Sequence, residues 1–163
     1  MRSIIFEKLS WQDWVASGAG SGFISPANGT WGSLFGLGTG LLFYNAFGVW
    51  ALIILTILAL PVALFAIHKI ERDTDLHDPS WIVVDEILAV WLIICFIPIN
   101  TPIWLIISFL GFRVLDILKP YPISKFDREV SGAWGVMVDD LMAAFIVIIT
   151  AWGVYVGFDT IGF

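Results

Sequence analysis

Polar and apolar positions in this chain segregate into long blocks rather than alternating. Between Asp13 and Lys69 no residue is formally charged, and the apolar part of that run extends from about Trp31 to Ile67. A hydrocarbon core of ~30 Å needs ~20 helical residues at ~1.5 Å each, so the run is too long for one crossing. It predicts two short helices turning at Asn45-Ala46-Phe47-Gly48. Three further apolar segments follow, Trp81 to Ile97, Pro102 to Leu118 and Val138 to Phe158. The first sixteen residues carry Glu7 and Asp13 among their apolar positions and so lack the continuous core of a cleavable signal peptide. Phe6, Trp11 and Trp14 suit a helix lying in the headgroup region, with a simple structural lid as the alternative. The expected fold is an all-α polytopic integral membrane protein with about five hydrophobic helices, four if the first is re-entrant. It forms one domain over residues 1–163, with residues 1–17 as a short interfacial N-terminal segment.

Composition agrees with lipid as the solvent: 59% of the 163 residues are hydrophobic, 13% are charged, and the mean hydropathy is +0.92. A net charge of −6 without a basic stripe argues against nucleic-acid binding. The single Cys95 lies in an apolar run and reads as packing.

Charge placement adds a direction. Every Asp, Glu, Lys and Arg except Asp159 falls in one of four clusters: Arg2 to Asp13, Lys69 to Glu86, Arg113 to Glu129, and Asp139-Asp140. Five crossings put all four clusters on one face, cytoplasmic by the positive-inside rule, while the opposite turns carry no charge. Asp85 and Glu86 are expected about one turn inside the third segment, Arg113 and Asp116 in the last turns of the fourth, and Asp139 and Asp140 opening the fifth. Five carboxylates from three helices would then meet just below the surface. Ionisable groups at membrane depth cost ~2.5 kcal/mol or more each at the centre and less near the interface, so the cluster calls for a cation.

Hard oxygen ligands of this kind suit Mg²⁺, which uses few carboxylates and keeps waters for a substrate phosphate. Asp139-Asp140 could instead favour a helix N-terminus electrostatically. Arg113 and Asp116, spaced i, i+3, could be a self-satisfied pair, or Arg113 could clamp phosphate oxygens while Asp116 orients it or binds metal. Lys119 could attract an anionic headgroup or snorkel. The stretch from Gly18 to Ser33 contains five glycines. It reads as a phosphate cradle or as close helix packing, and is not a Walker loop. His77 with Asp78 could serve acid–base chemistry or cap a helix; His68 raises the same question. A Cys-x5-Arg loop, an Asp-x-Asp-x-Thr/Val signature, the acid-phosphatase-type histidine pattern and the CDP-alcohol phosphotransferase pattern are all absent.

Taken in order, the motifs are Gly20-Ser21-Gly22, Ser25-Pro26, Gly29-Thr30-x-Gly32-Ser33, His77-Asp78 and Asp85-Glu86. Phe112-Arg113-x2-Asp116-x2-Lys119-Pro120-x-Pro122-Ile123, Phe126-Asp127-Arg128, Gly132 and Gly135-x3-Asp139-Asp140 complete the series. Together, over about Gly18 to Ala144, they resemble the phosphatidylglycerophosphatase A family of bacteria. One departure is Ala27-Asn28 ahead of Gly29-Thr30, where family members read Val-Pro. The resemblance implies a Mg²⁺-dependent phosphatase of the bacterial inner membrane that converts phosphatidylglycerophosphate to phosphatidylglycerol and phosphate at the cytoplasmic face. Asp85, Glu86, Asp139 and Asp140 are then the expected metal shell, and with His77 and Asp116 the expected catalytic set. Arg113 and Lys119 are expected to bind substrate, with donors around Ser25, Gly29 and Thr30. Expected partners are the lipid substrate and membrane lipids, with room for a homo-oligomer. The rival reading is a small transporter or channel with a polar ion site on its cytoplasmic side.

Overall fold

Local chemistry accounts for most helix boundaries. A computed structural model of the chain describes residues 9–74, 76, 78–98 and 101–161. Helix α1 (Trp11–Ala16) begins with a capping box, in which the Ser10 backbone N–H donates to Asp13 Oδ2 at 2.8 Å and the Asp13 N–H to Ser10 Oγ at 3.4 Å. After a 3₁₀ turn at Ser21–Phe23 come α2 (Asn28–Phe47) and α3 (Val49–Thr74), separated by Gly48. The positive φ of 83° at Gly48 lets the chain reverse while its N–H still bonds to the Tyr44 carbonyl. Helices α4 (Val84–Phe96), α5 (Pro102–Leu118), α6 (Ile123–Glu129) and α7 (Ala133–Ile161) follow, and no strand occurs among the described residues. Pro102 opens α5 without wasting a donor, and Lys119, at φ 41°, closes it.

The short helix α4 is the centre of the bundle, packed by α2, α3 and α7, with Ile87, Leu88, Val90, Ile93 and Ile94 buried. The outer surface is apolar: Leu42, Trp50, Ile57, Leu58, Ile117 and Leu118 are each more than 60% exposed. So much exposed apolar side chain suits lipid rather than water. Two helices, α3 and the Ala133–Gly157 part of α7, are long and apolar enough to cross a membrane. Helix α4, with 13 residues, and α5, with 17, fall short of that length.

Two sequence expectations need correcting. The fifth segment begins at Ala133 rather than Val138, because Gly132, at φ 70°, ends the preceding loop and the apolar residues after it join the helix. Asp139 and Asp140 therefore lie in the second turn of α7, beyond the stretch where a helix dipole acts strongly. The third segment begins at Val84 rather than Trp81, which puts Asp85 and Glu86 in its first turn.

Candidate active site

The close approach of α2 to α4 comes from glycine. Gly29, Gly32, Gly36 and Gly40 form a stripe on α2, and a Cβ at any of them would collide with α4 or, at Gly29, with the side chains of Glu86 and Arg113. Small residues at such spacing let two helix backbones come close. The Trp91 indole N–H then reaches the Gly36 carbonyl (3.0 Å) and Thr39 Oγ1 (3.2 Å). The stripe brings the first turn of α2 against the first turn of α4. There the last turns of α5 and the second turn of α7 also arrive.

Arg113 is the hub. Its Nη1 donates to Asp116 Oδ2 (2.7 Å), Glu86 Oε1 (3.0 Å) and Ser33 Oγ (3.0 Å), joining α5, α4 and α2. All three charged side chains are only 12–13% exposed. The i, i+3 pair with Asp116 does form, but it is one bond of a network rather than a self-contained pair. A second ion pair links Lys119 Nζ to Asp139 Oδ2 at 2.5 Å, tying the end of α5 to α7. Asp85, Asp139 and Asp140 are buried, and Asp140 lies within electrostatic reach of Asp85, Asp116, Glu86 and Asp139. Asp78 acts in the same way on Asp85 and Glu86.

Five helical carboxylates thus share one end of the bundle with two cations, Arg113 and Lys119. A buried excess of negative charge is unfavourable unless a cation compensates it. Asp85 Oδ1, Glu86 Oε2 and Asp140 Oδ2 are buried with no hydrogen-bond partner among the described residues. No three ligating side chains among the described residues already form a metal cage. Mg²⁺ does not require one, since it takes one or two carboxylates and completes its shell with water and phosphate oxygens. The donor chemistry therefore fits Mg²⁺.

Of the residues expected at the site, the structure brings together Asp85, Glu86, Arg113, Asp116, Lys119, Asp139, Asp140 and Gly29. Ser25 is exposed and Thr30 half-buried, and neither side chain bonds to the cluster among the described residues. His77 lies outside the described residues. The glycine-rich stretch divides in two. Gly18 to Gly22 is a packing knot, held by Ser17 Oγ accepting from the Gly20 N–H (3.1 Å), with Gly22 pressed against the Trp81 carbonyl. Only its later part, from Gly29, borders the charged cluster.

Ser33 was not among the expected site residues. It is fully buried, donates to the Gly29 carbonyl at 2.8 Å and accepts from Arg113. The signal that could have found it is its place four residues after Gly29, on the same helix face.

A family model described as phosphatidylglycerophosphatase A matches residues 14–155. The chain belongs to the phosphatidylglycerophosphatase A family. Relatives of that name come from Haemophilus influenzae, 37% identical over 86% of each chain, and from Escherichia coli, 36% identical over 81% of this chain and 76% of the relative. A third, from Bacteroides thetaiotaomicron, is named "Putative phosphatidylinositol-3-phosphatase" and is 35% identical over 84% of this chain and 91% of its own. No solved structure matches the chain. As a member of the phosphatidylglycerophosphatase A family the protein is a phosphatase, and every residue of the cluster lies within the matched region. A transport path would need charged groups along the bundle, whereas α2 has no Asp, Glu, Lys, Arg or His from Asn28 to Phe47.

Proposed function

We propose that this chain hydrolyses the phosphomonoester of phosphatidylglycerophosphate to phosphatidylglycerol and phosphate, in phospholipid biosynthesis, with Mg²⁺ as cofactor. The observation that carries the reading is the meeting of Arg113 and Lys119 with five carboxylates at one end of an apolar bundle, in a chain of this family. The setting proposed is the bacterial inner membrane, crossed by α2, α3, α4, α5 and α7. Alternate crossings then put the start of α2, the start of α4, the end of α5 and the start of α7 on the same face. That face also receives all eight Lys and Arg residues, and the positive-inside rule makes it cytoplasmic. A lipid phosphomonoester sits at that level.

Phosphoryl transfer asks mainly for positioning and charge neutralisation. Asp85, Glu86, Asp139 and Asp140 are the proposed residues for holding Mg²⁺, not all of them directly. When bound, the ion would neutralise phosphate charge and make a water more acidic. Arg113 Nη1 is held by three acceptors, while its buried Nε has no partner among the described residues, leaving the guanidinium donor capacity for a phosphate oxygen. Lys119, by moving from Asp139 to the phosphate, would add a second cation. At the first turn of α2 the Gly29 N–H and the Thr30 hydroxyl would supply donors, the Thr30 N–H being engaged by the Ala27 carbonyl, and Ser25, exposed in the preceding loop, would add its hydroxyl by swinging toward the cluster. Water attacks phosphorus as one of the carboxylates takes its proton, and His77 or another carboxylate protonates the glycerol oxygen as its bond to phosphorus breaks.

The test is phosphate release by the purified protein in detergent, with phosphatidylglycerophosphate and phosphatidylinositol 3-phosphate assayed side by side. Release from the first, abolished by EDTA and restored by Mg²⁺, is expected, and Asp85→Asn and Asp139→Asn should lose it while remaining inserted. Equal turnover of the inositol lipid, or release indifferent to EDTA, would overturn the substrate or the cofactor respectively.

A further inference from the structure

Below the charged cluster, α5 and α7 line an apolar groove of about 580 Å³. Its α5 wall is shallow because Ser108 and Gly111 stand where larger residues would fill it. Ser108 is 2% exposed, and its hydroxyl has no partner among the described residues. A Cβ at Gly111 would meet Val147 Cγ2 of the opposite wall only at 3.7 Å. The groove is open along one side, where Ile103, Ile107 and Val114 are each 53% exposed.

Helical periodicity connects this groove to the cluster. On α5 the stripe Ser108, Gly111, Leu115 continues to Lys119, whose backbone N–H donates to the Leu115 carbonyl at 2.8 Å. On α7 the stripe Val154, Ala151, Val147 continues to Asp140, seven residues before Val147. The Lys119–Asp139 ion pair crosses the top of the groove, joining its two walls. From Leu115 down to Ile103 the α5 wall runs about 18 Å, close to the ~15 Å of one bilayer leaflet. The groove therefore has an ionic end at headgroup depth and an apolar trough about one leaflet long.

We infer that the α5–α7 groove holds an acyl chain of the lipid substrate, so that the enzyme measures its substrate by hydrocarbon as well as by phosphate. The inference rests on the lipid-phosphatase reading above. An acyl chain matches the walls in polarity and length, and it enters from the bilayer through the open side without leaving lipid. The phosphate and the chain then belong to one molecule, which converts chain binding into orientation of the phosphomonoester against Arg113 and Lys119.

Two variants fill the trough from opposite walls, Gly111→Leu on α5 and Thr150→Phe on α7, and neither touches the charged cluster. Each is assayed on phosphatidylglycerophosphate bearing palmitoyl or butyryl chains. With palmitoyl chains kcat/KM should fall by about tenfold, the loss expected from displacing a couple of methylene groups, while the butyryl lipid is turned over as by the unaltered protein. Separately, palmitoyl phosphatidylglycerophosphate carrying a diazirine on one chain is photolysed with the unaltered protein and the adducts are mapped. Adducts on α5 and α7 support the groove whether or not the lipid is hydrolysed, which keeps this inference distinct from the activity. Hydrolysis with adducts confined to the α2–α3 side, and unchanged chain preference in both variants, would overturn the groove and leave the activity standing. An unaltered protein that elutes from gel filtration as a dimer and two variants that elute as monomers, again with unchanged chain preference, would make the groove a contact between copies and overturn the inference.

Discussion

Arg113 does more than place a positive charge near phosphate, because three acceptors on three helices fix where its guanidinium lies. Arg113→Lys keeps the charge and loses the planar fork, so it cannot satisfy Ser33, Glu86 and Asp116 in the same geometry. Charge-assisted hydrogen bonds contribute ~1.5–3 kcal/mol each, so kcat/KM should fall by about a hundredfold in a protein that still elutes as an intact detergent complex. Ser33→Ala removes one neutral acceptor and should cost about fivefold, corresponding to ~1 kcal/mol. The two changes share one interaction, so in the double variant the Ser33 effect should nearly disappear. Full additivity would mean that Ser33 acts through something other than Arg113. This link was not legible in the sequence. The periodicity of α2 puts Ser33 on the face of Gly29, but nothing in a linear reading says that α5 delivers a guanidinium to that face from eighty residues away.

At the scale of elements, the separation of α2 from α4 sets how well the site is assembled. At Gly36 the contact is with the backbone of α4, since a Cβ there would stand 2.9 Å from Ile87 Cα, an atom that cannot rotate away. Gly36→Val should therefore force the helices apart, lowering thermal stability in detergent by the ~1–3 kcal/mol typical of overpacking, and lowering activity as Glu86 moves from Arg113. Gly38, two residues on, meets nothing within 4 Å. Gly38→Ala should be neutral or stabilising by up to about 1 kcal/mol through helix propensity alone. Similar melting curves for the two variants would show that the glycine stripe does not govern helix approach. Elements were the most legible level of this protein. Pro102 and Lys119-Pro120 mark both ends of α5, and the uncharged run from Trp31 breaks at Gly48 as its length requires. The starts of α4 and α7 were misplaced because apolar runs record burial, whereas helix starts record backbone geometry. Gly132 lets α7 begin ahead of its most apolar stretch, and residues 81–83 pair with α1 and its loop, as in the Val83 N–H bond to the Ala16 carbonyl (2.8 Å).

For the whole molecule, the argument that joins charge, lipid and chemistry is that the four charged clusters gather at one end of the bundle, leaving Asp159 alone toward the other. Asn45 is exposed at the far end of α2, and Lys125 is exposed on α6, next to the ionic end. If α2 to α5 and α7 all cross, these positions lie on opposite faces of the membrane. In a Cys95→Ala background, Asn45→Cys should react with an impermeant maleimide from outside intact cells, and Lys125→Cys only after permeabilisation. Short helices do not rule out this topology. Helix α4, at about 20 Å, is surrounded by α2, α3 and α7, so protein rather than lipid can cover the backbone at its ends. Reaction of both positions from the same side would leave α2 re-entrant or α4 inside the bundle without crossing. The ionic end would then need another route to the cytoplasmic headgroups. Reaction from opposite sides would put Asp85, Glu86, Arg113, Asp116, Lys119, Asp139 and Asp140 at the single face where a phosphomonoester, its counter-ion and water are all available.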